Sequence, residues 1–309
     1  MINEVTRILM SDTPLAISEN GYRYLLSLAY PKVEQQSPAS PLSAAATVPR
    51  SFAARHLPPP SSASDINLTT DYSGENMPDG SIAYHPVFGP IFSDAYYWFS
   101  SKDLERNLLD AEENPQIVAH LLQVNSPGGE AYYLDRLGET MDQLKKPIVA
   151  IIEEACSAAY NIACHAQVIY ATTKFDLVGC IGTMVSFYDF SEFYAKMGIK
   201  RIEAKADGSD LKNKTVEELI DGKPRKFIES VLNPMNEAFI ATVRAHRPAL
   251  AKVADDHPSL RGETFFTDEA IKIGLLDGRT TFGEAAAEAV RRGKEVANSS
   301  HLLQQLYQS

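Results

Sequence analysis

Cysteine is scarce in this chain. Three (Cys156, Cys164 and Cys180) occur among 309 residues, with no C-x-x-C spacing and no paired histidines nearby. Neither a disulfide framework nor a zinc site is therefore expected, and a reducing compartment fits. Basic residues are also few, 29 against 40 acidic ones, for a formal charge of −11. A nucleic-acid partner needs a basic face, so none is expected. No apolar run approaches the roughly eighteen residues of a membrane span. The start, "MINEVTRILMSDTPLAISENGY", lacks the basic and then apolar order of a secretory signal. The expectation is a soluble, cytoplasmic protein with no membrane span. There is no internal repeat, and no His/Asp/Glu cluster has ligand spacing, so neither metal nor cofactor is expected. "VGCIGTM" lacks the glycine pattern of a phosphate loop.

What is present is enough apolar material, 44% of residues, to bury a large core. Residues 1–33 read as an N-terminal helical segment with Ile8, Leu9, Leu15, Ile17, Tyr22, Leu25 and Leu26 as its apolar positions. Residues 34–80 read as a flexible linker, because "EQQSPASPLSAAATVPRSFAARHLPPPSSASD" is dense in Pro, Ser and Ala. The compact domain is expected over 81–283, and 284–309 as a helical tail. Within the domain, "SIAYHPVFGPIF" predicts a strand broken at Gly89-Pro90, and "SKDLERNLLDAE" a helix with Ser101 as a candidate N-cap. "QIVAHLLQV", "PIVAIIE", "QVIYA" and "GIKRIEA" read as short apolar strands. "EAYYLDRLGETMDQLKK" and "SAAYNIACHA" read as helices, as does "NPMNEAFIATVRAHRP" with Asn233 at its N-cap. Continuous apolar strands alternating with helices indicate an α/β fold, a mostly parallel sheet covered on both faces.

Two stretches carry candidate chemistry. In "VNSPGGEAYYLDRLGETM" an apolar strand turns through Gly128 and Gly129 and a helix follows. Consecutive glycines allow positive φ and leave backbone N–H groups open to a negatively charged visitor. The plain alternative is a tight strand-to-helix turn. In "EEACSAAYNIACHA" Ser157 directly follows a strand, where a helix begins, among small neighbours. A nucleophilic serine is well served by that position, although serine is also a common N-cap. A nucleophile needs a base. His165 lies about two helical turns from Ser157 and reads as an ordinary packed or surface histidine. A lysine is the other choice, since burial can leave a neutral amine able to take the hydroxyl proton. "KADGSDLKNKTVEEL" offers Lys205, Lys212 and Lys214, each also readable as a solvated loop lysine.

In order, "VNSPGG", "EEACSAAYNIACHAQVIYA", "VGCIGTM", "ADGSDLKNK" and "RGETFFTDEAIKIGLLD" resemble peptidase family S49, the signal-peptide-peptidase-A-like serine proteases, over roughly Ala83 to Gly283. The resemblance implies the spiral of β-β-α units shared with the Clp protease and crotonase group. It implies Ser157 as nucleophile, Gly128 and Gly129 as the glycines shaping an oxyanion hole, and Lys212 as base, with Lys214 the runner-up. The chain departs from the family pattern in Ala158 and Ala159 after the serine and in Cys180, small-for-small changes that remove no reacting group. Cys156 beside Ser157 raises a thiol-protease alternative. The implied partners are an extended protein or peptide substrate and further copies of the chain in a homo-oligomer whose serine and lysine can come from neighbouring subunits. The prohead proteases of phages and prophages, which trim capsid and scaffold proteins, are the favoured kin. The alternatives are a bacterial housekeeping peptidase, a crotonase-like acyl-CoA enzyme and a non-catalytic assembly scaffold.

Overall fold

The computed structural model describes residues 15–17, 66–75, 77–96, 98–186 and 189–308. Its strands are β1 (Leu15–Ile17), β2 (Leu68–Thr69), β3 (Ser81–Phe88), β4 (Ile91–Phe92), β5 (Phe99–Ser100), β6 (Ile117–Ser126), β7 (Gly128–Glu130), β8 (Ile148–Cys156), β9 (Val168–Ala171), β10 (Leu177–Gly179), β11 (Thr264–Phe266) and β12 (Gly278–Arg279). The larger sheet follows the path β11-β10-β8-β6-β3-β2, with β9 on β8 and β12 on β9. All its pairings are parallel except β10 with β11. A smaller sheet runs β1-β7-β4-β5. This is the mostly parallel α/β architecture that the apolar strand runs demand, because a parallel strand is buried on both faces.

Both faces are covered. Leu122, Val124, Ala150 and Ile152 face a core closed by α2 (Leu134–Gln143) and α3 (Ala158–Ala163). Alternate residues, Ala119, Leu121, Val149 and Ile151, face Ala285, Ala286 and Ala289 of the long helix Phe282–Gln308. Small residues let that helix come close: a side chain at Gly293 would run into the Val118 backbone. The first half of the C-terminal helix is thus part of the body of the domain, whereas residues 294–299 of it are exposed. The body also begins earlier than Ser81: β2 pairs with β3, and Tyr72 is buried and donates to Tyr84 O at 2.7 Å.

Other expectations are corrected. The N-cap of α1 (Ser101–Glu113) is Ser100, whose hydroxyl accepts from Asp103 N at 3.2 Å, and Ser101 is the first, buried residue of the helix. Asn233 is not an N-cap: its N–H donates to Ile228 O within a continuing helix. Arg225–Phe227, a π turn at Ile228–Leu232 and Asn233–His246 succeed one another with helical residues at each junction. "GIKRIEA" forms no strand, and Ile202 within it is 93% exposed. The helical segment 1–33 and linker residues 34–65 lie outside the described residues, except for Leu15–Ile17. That triplet is a strand, not helix, because its backbone pairs with β7, a partner that local periodicity cannot reveal.

One buried polar cluster predicts a pH dependence. His85 and His120 sit on β3 and β6, with His85 Nε2 3.1 Å from His120 Nδ1 and the Tyr72 ring stacked on His85 at 4.7 Å. Burial holds the His85 pKa well below 6.5, with His120 adding to the effect. Burial also lowers His120, against the opposing pull of Glu112. The unfolded chain therefore takes up these protons first, and stability falls as the pH drops below about 6.5 towards the depressed folded values. Between pH 7.5 and 5.5 the melting temperature is expected to fall by about 5 °C on this account. A His85→Phe variant should show a shallower fall, and equal pH slopes in the two proteins would refute the assignment.

Candidate active site

Ser157 joins β8 to α3, and its backbone is strained. It takes φ 56° and ψ −118°, a region that L-residues rarely adopt. Surrounding bonds hold it there: its N–H donates to Gly179 O at 2.8 Å, and its C=O accepts from Asn161 N at 2.9 Å. The side chain makes no capping hydrogen bond, so the plain N-cap reading fails. Its Oγ lies 3.4 Å from Gly182 O. The N–H of Ala158, first in α3, is left without an intrahelical acceptor by helix geometry. Ser157 is 1% exposed.

The two glycines of β7 have separate structural reasons. Gly128 takes φ 98°, and its N–H donates to Ser126 Oγ at 3.2 Å, so that donor is occupied. Gly129 lies against β4, where a Cβ would collide with Ile91 O and sit 2.6 Å from Ile91 N. Gly129→Ala must therefore push two strands apart. We expect a loss of about 3 kcal/mol, seen as a melting temperature lower by roughly 8 °C; an unchanged melt would show that β4 can yield. The glycines and the serine follow the ends of neighbouring strands. Ser126 pairs with Ala155 across β6 and β8, so two residues further on Gly128 and Ser157 face the same end of the sheet. α3 packs against β7 there.

A cavity of about 600 Å³ opens beside this junction, bordered by Ala131, Asn161 and Thr183. Its walls include Leu134, Met235 and Phe239, and Asp142, His165 and His246 lie on its border. Asp142 Oδ1 is 2.7 Å from both His165 Nδ1 and His246 Nε2. The pKa of Asp142 is lowered: burial acts to raise it, but the hydrogen bonds and charges of the two histidines outweigh that. His165 is thus a buried partner of Asp142, not of Ser157. With Cys164 it also belongs to a His/Cys group that the sequence spacing had not suggested.

Of the predicted bases, none hydrogen-bonds to Ser157 among the described residues. Lys212 and Lys214 are exposed, one in a turn and the other opening α5 (Lys214–Ile220). Lys205 is bound by Glu217 and Glu203, and the Glu217 hydrogen bond raises its pKa, the reverse of what a neutral base needs. Cys156 is buried, and burial pushes its thiol pKa well up, so it is not poised as a thiolate.

The fold and this junction define an α/β domain that presents a strained serine beside a glycine-built strand edge. The sequence model of peptidase family S49 matches residues 140–297, just over half of the 309 residues. The chain belongs to peptidase family S49. Similar curated proteins include one from Methanocaldococcus jannaschii assigned as a protease, MJ0651, 28% identical over 74% of this chain and 68% of its own length. An Enterococcus faecium protein assigned as signal peptide peptidase SppA is 24% identical over 68% of this chain and 60% of its own. Protease 4 of Haemophilus influenzae is 26% identical over 60% of this chain, which spans only 30% of that protein. Among solved structures, a variant of the 1510-N membrane-bound stomatin-specific protease matches at TM-score 0.44 and 14% identity, over 69% of this chain and 86% of that one. Among the described residues no helix is long and apolar enough to cross a membrane.

Proposed function

We propose that this chain is a serine endopeptidase in which Ser157 attacks the carbonyl carbon of an extended peptide. The observation that carries the reading is the strained, uncapped Ser157, which opens a helix packed against the strand of Gly128 and Gly129. As Oγ bonds to carbon, its proton passes to a lysine amine and the carbonyl electrons move to oxygen. The resulting oxyanion is held by the N–H groups of Gly129 and Ala158; Gly128 sets the turn, its own N–H being taken by Ser126. Collapse releases the amine, which carries off the proton, and water then frees the acyl group from Ser157. The cavity beside the junction takes a substrate side chain.

Lys212 is the base in this reading, and it reaches Ser157 in an assembly of several copies. The support is the segment that bears it. α4 (Ser191–Lys196) and α5 bury no residue, and Phe193, Met197, Ile199, Ile202 and Leu211 are exposed. Apolar surface of this extent marks an interaction site. Burial against a neighbour is also what would depress a lysine pKa. The narrower reading, processing of phage capsid or scaffold proteins, rests on the sequence resemblance.

The test is labelling of the purified protein with a serine-reactive fluorophosphonate, the adduct being located by mass spectrometry. An adduct on Ser157 is expected. No adduct in the oligomeric protein would favour a non-catalytic scaffold. Thioester turnover surviving Ser157→Ala would favour a crotonase-like enzyme.

A further inference from the structure

An endopeptidase that binds extended substrates needs a strand edge beside its nucleophile, and β7 is the strand that carries the glycines. In this chain that edge is taken. β1 pairs antiparallel with β7 as the end strand of its sheet, with Leu15 opposite Glu130, Ala16 opposite Gly129 and Ile17 opposite Gly128. The other side of β7 is held by β4. An extended peptide therefore cannot join β7 without displacing β1.

Direction and level of the pairing are specific. From Leu15 to Ile17 the segment runs from Glu130 towards Gly128. Ser126 of β6 pairs with Ala155 of β8, and Gly128 and Ser157 each follow two residues later, so Gly128 is the end of β7 that adjoins the strand ends leading to Ser157. The C-terminal end of β1 thus points to the nucleophile, so the residues on β7 lie on the acyl side of the peptide bond presented to it. That is the polarity in which a substrate would donate its acyl group to a serine.

We infer that Leu15–Ile17 is an internal occupant of the acyl-side substrate position on β7, and that peptide substrates compete with it. The inference rests on the endopeptidase reading for calling this edge the substrate position. It makes the N-terminal arm a determinant of access to Ser157. It also names the substrate backbone's partners as Gly128, Gly129 and Glu130, the mode in which main-chain hydrogen bonds supply affinity and alternate side chains specificity.

The test uses the full chain carrying Ser157→Ala, so that binding is read without turnover. A fluorescent peptide of the arm's own sequence, DTPLAISEN (residues 12–20), is titrated and followed by anisotropy. Ala16→Pro in the chain removes a backbone donor and disfavours the strand. It is expected to tighten binding of the peptide at least tenfold by vacating the edge. A peptide carrying the same Ala-to-Pro change should bind neither chain. Ile17→Pro is the second variant, should Ala16→Pro not fold. Equal affinities for the two chains, or no binding to either, would overturn the inference. Fluorophosphonate labelling of the Ser157-intact chain is scored separately. An unreactive serine with tightened peptide binding would fail the catalytic reading alone, and a reactive serine with equal affinities would fail the occupancy alone.

Discussion

Ser157→Ala is expected to lower peptidase activity by about 10⁴- to 10⁶-fold, the scale on which removing a serine nucleophile acts in a site that works as a unit. Secondary structure and oligomeric state should persist. The side chain makes no capping bond, and its hydrogen bond to Gly182 O, at 3.4 Å, is long. The backbone of residue 157 is the costly part: φ 56° and ψ −118° are held by Gly179 O and Asn161 N, and both bonds survive the substitution. An alanine in this conformation is as strained as the serine, so the melting temperature should move by no more than about 2 °C. Peptide hydrolysis is the measurement, with a melt of the same preparation as control. Retained activity in a folded variant would remove Ser157 from the chemistry. A collapsed melt would show the hydroxyl to be structural. A Ser157→Gly variant refines the point. Glycine accepts this conformation without a Cβ clash, so it should be inactive and more stable than the serine form, which is the signature of strain kept for function rather than for folding.

How far this was legible in the sequence differs from element to element. β6 and β8 announced themselves, because strands buried on both faces are unbroken apolar runs; all but Glu153 and Glu154 of Ile148–Cys156 are buried. α3 was legible from its small residues, which pack against β6 and β7. Ser157 stood at the boundary of two recognisable elements, so its place was visible while its strain was not. A positive φ on a non-glycine residue leaves no mark in composition. The reasons for the two glycines could not be separated in sequence either. One answers a dihedral and the other a neighbouring strand from residue 91, and only the fold brings that strand alongside. "GIKRIEA" misled because apolar alternation predicts burial without saying by what. Its residues have no sheet partner among the described residues and stay exposed. β1 misled in the opposite sense. Three residues carry no periodicity, and what makes them a strand is a backbone more than a hundred positions away.

Lys212→Ala is the second large effect expected, about 10³-fold or more on hydrolysis, since a general base contributes roughly 10²–10⁴. The side chain is exposed in the single chain, so its loss should leave the melt unchanged. More can be learned by mixing this variant with Ser157→Ala. Lys212 lies in a segment whose two helices, α4 and α5, hold no fully buried residue, and whose Phe193, Met197, Ile199, Ile202 and Leu211 are exposed. If that segment docks on a neighbour and delivers Lys212 to the neighbour's Ser157, two inactive chains complement each other. An interface is active when one chain supplies an intact serine and the other an intact lysine. Random assembly of equal amounts should then restore about a quarter of the native specific activity, provided each interface is head-to-tail. No recovery after demonstrated subunit exchange would mean that serine and base belong to one chain. The 191–220 segment would then have to close over its own site. Full activity of Lys212→Ala alone would transfer the role to Lys214, because Lys205 is already held in its charged form by Glu217. The same experiment separates a base from a positioning cation. Lys212→Arg keeps the charge but cannot give up its proton near neutral pH. As a base replacement it should be as inactive as the alanine variant, whereas recovery with arginine would show that residue 212 acts by its charge.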